Sequence, residues 1–162
     1  MARITAYTVA FFFVAPGTTA GVVPWWITGW DRPDGAVGVV DMLGGAVGLL
    51  GLVAVVACFA RFVAEGAGTP APSAPTETLV VGGLYRHVRN PMYLAVASMI
   101  GGQALVFRSP GVGLWLLGFM ALVLAFVKGY EEPALARQFG TSYDAYRTAV
   151  PGWWPRRTPY TG

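Results

Sequence analysis

The sequence predicts an all-α integral membrane protein: four transmembrane helices followed by a C-terminal amphipathic cytoplasmic helix. Three observations carry this expectation. Of 162 residues, 55% are hydrophobic and only 12% charged, and the mean hydropathy is +0.55, whereas about a quarter of an ordinary soluble domain is charged. Four stretches carry no charge at all: Ile4 to Trp30, Met42 to Ala60, Met92 to Phe107 and Ser109 to Val127. Each is at or near the roughly 20 residues needed to cross a bilayer. From Glu131 onward the pattern changes, and Leu135, Phe139, Tyr143, Tyr146 and Val150 recur at three- and four-residue steps among polar positions, as on an amphipathic helix.

Taken in order, the first helix spans about Ile4 to Trp26. Arg3 followed by an apolar run also suits a signal peptide, but the run continues to Trp25-Trp26, an interfacial aromatic pair, and so reads as an uncleaved span. Pro16-Gly17 predicts a kink. The polar, turn-rich loop Thr28 to Gly35 makes an antiparallel hairpin with the second helix, about Ala36 to Val63. Gly44 and Gly48 at four-residue spacing let helices approach closely. Asp41 lies near the outer end of this helix, where it reaches water or Arg32. The lone Cys58 excludes a disulfide framework and a zinc spacing, and reads as a small core residue.

A long loop, about Glu65 to Asn90, follows. Its first part, Gly66 to Pro75, is rich in proline and glycine and reads as an extended strap; Thr76 to Val81 reads as a short stretch leading into Gly82-Gly83. Arg108-Ser109-Pro110-Gly111 is a turn signal joining helices three and four. The third span is short and gains length through Asn90 and Pro91. Gly140 interrupts the amphipathic helix, and Trp153-Trp154-Pro155-Arg156-Arg157 reads as an interfacial anchor that ends the ordered structure. The whole is expected to be a single membrane domain: an N-terminal hairpin (1–64), a cytoplasmic loop (65–90), and a second hairpin with the amphipathic helix (91–162).

With four spans, Arg3, Arg61, Arg86, Arg89, Lys128, Arg137, Arg147, Arg156 and Arg157 share one side, and only Arg32 and Arg108 the other. The positive-inside rule then puts both termini and the long loop in the cytoplasm. The net charge of +3 follows from this topology and from contact with anionic lipids, and nucleic acid is not an expected partner.

The chemistry concentrates in Gly82-Gly83-Leu84-Tyr85-Arg86-His87-Val88-Arg89-Asn90-Pro91-Met92-Tyr93. Polar side chains at a membrane boundary are costly, so a cluster directly before an apolar run marks a site. Pro91 suits the first turn of the helix that follows. Because helices three and four form a hairpin, Glu131-Glu132 at the end of the fourth lie beside this cluster. Two adjacent carboxylates repel unless a cation or donor is near. Arg86 or Arg89 can supply one structurally, and a cationic or amine-bearing ligand can supply it functionally. No nucleophile triad, phosphate loop or dinucleotide fingerprint is present.

These residues resemble a known family. Leu79-Val80-Val81-Gly82-Gly83-Leu84-Tyr85, Arg89-Asn90-Pro91-Met92-Tyr93, Glu131-Glu132-Pro133-Ala134-Leu135, Phe139-Gly140, Tyr143, Tyr146, Val150-Pro151 and Pro155 are similar to the isoprenylcysteine carboxyl methyltransferase family and its phospholipid methyltransferase-like bacterial relatives. The resemblance implies a helical enzyme of the bacterial inner (plasma) membrane that binds S-adenosylmethionine at its cytoplasmic side and methylates a lipophilic acceptor, an isoprenylcysteine-like carboxylate or a lipid amine. It implies that Thr78, Leu79, Val80, Tyr85, Asn90, Pro91, Met92, Tyr93 and Glu131 bind the cofactor. From the residues themselves, His87 and Glu132 are the candidates to take a proton from an amine acceptor, and His87, Arg89 and Glu132 form the candidate catalytic set. A single His87 does not assemble a metal site without further ligands, and no metal is expected. Asn90 stands where the family often has histidine; it keeps hydrogen bonding and does not titrate. Where the eukaryotic isoprenylcysteine enzymes place an arginine before the acidic pair, this chain has Val127 and Lys128. The same scaffold also suits a membrane reductase using NADPH, or a non-catalytic lipid-binding protein.

Overall fold

In a computed structural model, which describes residues 14–65 and 78–161, the chain is helical and contains no strand among those residues. The expected start of the first helix near Ile4 and the strap Gly66 to Pro75 lie outside the described residues. Helix α1 occupies residues 14–28 and includes a π-helical turn, Thr18–Val22, before Val23–Thr28. Helix α2 is Val39–Ala64, α3 is Pro91–Val106 and α4 is Pro110–Phe126. Through a second π-helical turn, Val127–Glu131, α4 runs on into α5, Glu132–Phe139, and then α6, Thr141–Ala149.

Two helices are long and apolar enough to cross a membrane, Val39–Phe62 and Pro110–Phe139, and Pro91–Val106 is apolar but shorter. Only 28% and 22% of the most apolar windows of the two long helices are buried inside the protein. A soluble core helix would be mostly covered. Here Leu43, Leu49, Leu50 and Val53 on α2, and Leu114, Leu117 and Leu122 on α4, are exposed, a surface far larger than water tolerates and one that suits lipid.

Local sequence explains where the elements begin and bend. Helix α2 starts at Val39, three residues later than expected, because the Asp41 carboxylate reaches back to accept the Gly38 N–H at 2.8 Å, one half of a capping box. Asp41 is buried there and also bonds Arg108 at 3.1 Å, with Arg32 at 3.6 Å. The pairing expected with Arg32 is therefore shared with the turn between α3 and α4.

Each π-helical turn ends two residues before a proline, Pro24 or Pro133. Proline has no N–H to give to the preceding turn, so a carbonyl there is left over. In α1 the Val23 N–H goes to the Thr18 carbonyl, and the carbonyls it bypasses are taken by other helices. The Trp115 indole donates to Thr19 O at 2.8 Å, and Gln103 Nε2 donates to Ala20 O at 2.7 Å. An unsatisfied carbonyl in hydrocarbon costs several kcal/mol, so these two side chains fix α1 against α3 and α4. The bend expected at Pro16-Gly17 is thus a π-helical turn one residue further on.

Helices α2 and α3 meet backbone to backbone. A Cβ on Gly102 would lie 2.5 Å from Gly44 O and 2.6 Å from Gly48 N, and one on Gly51 would lie 2.6 Å from Ala95 O. The small-residue spacing read at Gly44 and Gly48 is this seam, with Gly102 and Gly51 completing it. Gly102→Ala is expected to lower stability by roughly 1–3 kcal/mol, since backbone cannot give way cheaply. Gly45→Ala, with nothing within 4 Å of the added Cβ, should be neutral or slightly stabilising through helix propensity. Thermal melts in detergent check both signs.

Candidate active site

The stretch ahead of α3 has no regular structure from residue 79 to 81 and then forms a single 3-10 turn, Gly83–Arg86. Gly83 has φ +57°, a backbone conformation that favours glycine. Side chains before the turn go to different places. Val80 enters the bundle core with Tyr85 and Met92, whereas Leu79 and Val81 pack on Tyr143, Tyr146 and Val150 beneath the C-terminal helices. Thr78 is exposed.

Pro91 opens α3 at its first position, without a side-chain hydrogen bond from Asn90 to cap it. The Asn90 side chain, 7% exposed, instead donates to Gly152 O at 3.1 Å. Tyr93 lies half-buried one turn further along, and its hydroxyl donates to Glu131 Oε2 at 2.9 Å.

The two carboxylates at the π-helical turn have separate fates. Glu132 Oε1 accepts from Arg89 Nη1 at 2.7 Å, and both side chains are largely buried. Arg89 Nη1 also donates to the Tyr143 hydroxyl at 3.2 Å, and its Nε to Val150 O at 2.9 Å. Glu131 receives the neutral Tyr93 hydroxyl, and no basic side chain among the described residues pairs with it. The acidic pair is half a salt bridge and half an anion without a cation.

Tyr93, which donates to Glu131, packs on the same aromatic and apolar core as Tyr85. Tyr85 is buried, its ring edge-on to Phe62 with centroids 5.8 Å apart. Its phenol is held well above the ordinary pKa, first by burial and then by the Cys58 thiol and the Glu131 carboxylate. Val80, Met92, Phe62 and Trp153 belong to the same core. Such a place accepts a ligand that brings its own positive charge and an aromatic or apolar body.

Of the residues expected to bind a cofactor, Val80, Tyr85, Met92 and Tyr93 share the bundle core, and Glu131 is joined to it through the Tyr93 hydroxyl. Pro91 is buried at the helix start, Asn90 bonds the C-terminal segment, and Leu79 and Thr78 face elsewhere. Of the expected catalytic residues, Arg89 and Glu132 hold each other. His87 Nδ1 lies 2.9 Å from Arg156 O. Cys58, Phe62 and Trp153 also line this core, and their spacing in the sequence gives no sign of it.

The C-terminal segment differs from expectation. It does not end the ordered structure as a free anchor but folds back over residues 86–90. Arg89 N donates to Pro151 O, Asn90 N to Gly152 O, Arg156 N to His87 O and Tyr160 N to Arg86 O. The amphipathic helix ahead of it is divided at Gly140, whose φ of +52° and ψ of −127° end α5 and begin α6.

Comparison with known proteins bears on this site directly. Residues 39–142, well over half of the chain and including every expected site residue, match the family described as phospholipid methyltransferase. A phosphatidylethanolamine N-methyltransferase of Yarrowia lipolytica is 36% identical over 66 residues, which is 41% of this chain and 7% of that protein. The chain thus spans only a small part of the length of this curated relative. No solved structure matches it.

The split between the carboxylates has a consequence without any ligand. Glu132→Gln leaves a largely buried Arg89 without its partner and is expected to cost about 1–3 kcal/mol, less than a fully buried pair. Glu131→Gln removes a charge that no cation balances and should leave the ligand-free melting temperature unchanged or raised. Thermal melts of the two variants give the order.

Proposed function

The chain belongs to the phospholipid methyltransferase family, and from that membership we propose that it transfers a methyl group from S-adenosylmethionine to a lipid amine at the cytoplasmic membrane surface. The observation that carries the reading is Glu131: a carboxylate fixed by Tyr93, without a cation, beside an aromatic core. The residues present fit the cofactor. Glu131 would hold its ammonium; Tyr85, Val80 and Met92 would cover its apolar and aromatic surface.

When bound, S-adenosylmethionine supplies an electrophilic methyl on a positively charged sulfur; nitrogen forms a bond to that carbon as the carbon–sulfur bond breaks, and the sulfur leaves as a neutral thioether. The protein's task in such an in-line displacement is alignment and exclusion of water. Tyr93 orients the Glu131 carboxylate, and the Arg89–Glu132 pair fixes the helix that carries it. An amine acceptor also loses a proton. Glu132 is committed to Arg89, so within this reading His87 or water at the membrane surface takes that proton. A lipid amine is preferred to an isoprenylcysteine-like carboxylate because the family and the relative are both named for phospholipid substrates, and because Val127 and Lys128 replace the arginine of the isoprenylcysteine enzymes.

The topology proposed with this function has four spans, α1 and α3 joining the two long helices, in the bacterial inner membrane with both termini cytoplasmic. Cysteines introduced at Ser73 and Asp34 and probed with an impermeant thiol reagent in intact cells should be labelled only at position 34. Labelling at position 73 alone would reverse the orientation.

Calorimetry on detergent-purified protein should detect S-adenosylmethionine and its demethylated product and give no signal with NADPH. Glu131→Gln is expected to weaken cofactor binding by roughly ten- to a hundredfold, the worth of one charge-assisted bond of about 1.5–3 kcal/mol. Labelled methyl should appear in phosphatidylethanolamine vesicles. Binding of NADPH with no response to either sulfur nucleotide would overturn the proposal.

A further inference from the structure

We propose that residues 150–161, which lie beyond the family-matched region, act as a clasp that positions the cofactor-binding turn, with Tyr146, Arg156 and Tyr160 as positioning residues. The inference rests on the functional reading above and adds the part of the chain that the family match, ending at residue 142, does not reach.

The geometry is specific. The 3-10 turn is only four residues long, and at its ends Tyr85 N bonds Gly82 O while His87 N and Val88 N bond Leu84 O. A single turn of this kind is not stable alone, since fixing several residues for so few bonds costs more entropy than it returns. The remaining bonds come from the C-terminal segment, as alternating partners on both sides. Arg86 O accepts Tyr160 N and Arg86 Nε donates to Tyr160 O, at 2.9 and 2.6 Å. His87 O accepts Arg156 N, while His87 Nδ1 meets Arg156 O. Arg89 N and Asn90 N donate to Pro151 O and Gly152 O. The Tyr85 carbonyl, on the residue whose ring lines the site, accepts the Tyr146 hydroxyl at 2.7 Å, and the Tyr146 ring packs edge-on against Tyr160 at 5.6 Å.

From residue 85 to residue 90, only Val88 lacks a bond to this segment or to Tyr146 beside it. Besides backbone, the tail contacts the side chains of His87, Arg89 and Asn90, and its Trp153 packs on the bundle core that holds Tyr85 and Met92. It acts by holding the backbone that aims Tyr85 inward and that starts α3 where Tyr93 meets Glu131. A turn held from outside loses little entropy when a ligand binds, so removing the clasp shifts that cost onto cofactor affinity.

Two variants test this. A chain ending at Pro155 removes the Arg156 and Tyr160 bonds but keeps the helices, the Arg89–Glu132 pair and Trp153. Tyr146→Phe removes one hydroxyl and no packing. Hydrogen exchange of residues 84–93 in ligand-free protein should quicken at least tenfold in the truncated chain and less in Tyr146→Phe, with exchange in α2 and α4 unchanged. The KM for S-adenosylmethionine should rise roughly tenfold or more on truncation and a few-fold in Tyr146→Phe, each lost bond being worth a factor of about two to ten; in Tyr146→Phe, which leaves the Arg156 bonds to His87 in place, kcat stays within about twofold. Exchange at 84–93 equal to that of the full chain would overturn the clasp, as would an unchanged KM in the truncated chain. Should the full chain not bind S-adenosylmethionine, the functional reading fails, and the exchange result alone still decides whether the tail orders the turn.

Discussion

Four parts of the chain converge on the guanidinium of Arg89. It holds Glu132 at the start of α5, Tyr143 in α6 and the Val150 carbonyl of the C-terminal segment, and its own backbone sits immediately before α3. The planar, always-charged fork of arginine suits such a junction, because Nε and Nη1 donate in different fixed directions that the compact ammonium of a lysine does not reproduce. Everything on this side of the bundle depends on that knot. With Glu132 paired inside it, Glu131 stays next door as an acid without a basic partner among the described residues, its carboxyl group accepting from the Tyr93 phenol.

Much of this was legible in the chain. Charge-free runs mark the helices, since lipid exposure imposes length and composition directly. Glycines 44 and 48 announce close packing, and the acidic pair beside Arg89 announces a site. The family resemblance gives the cofactor contact to Glu131 and leaves Glu132 to an arginine or to solvent, and Glu132 does take Arg89; the residue pattern by itself does not decide between the acids, because the choice depends on the rotation that the π-helical turn ahead of Pro133 imparts to α5. The same reasoning applied to Pro24 explains why Gln103 and Trp115 point where they do. The return of the tail was also hidden: Trp153-Trp154-Pro155-Arg156-Arg157 has the composition of an interfacial anchor, and its backbone pairing with residues 86–90 leaves no mark in side-chain pattern.

The two ends of the bundle handle polarity by opposite means. At one end Asp41 ties the α1–α2 loop, α2 and the α3–α4 turn by accepting from Gly38 and Arg108, and both arginines of that side are drawn to the one acid. Arg108 adopts a left-handed conformation, φ +47°, which costs on the order of 1 kcal/mol for a residue with a side chain and delivers its guanidinium to Asp41. At the other end, with more basic residues available, none reaches Glu131. That difference is one of placement rather than of supply.

An acid kept without a cation near the membrane boundary is a standing cost. In the function proposed above, a methyl donor that carries its own ammonium would offset it, and mass action would then return stability to the bound form, by about 2.7 kcal/mol at a hundredfold excess over Kd. On that reading the arrangement would couple order to occupancy. The Arg89 knot and the tail hold the frame without a ligand, and the Tyr93–Glu131 pair is the part of the frame whose charge balance such a ligand would complete.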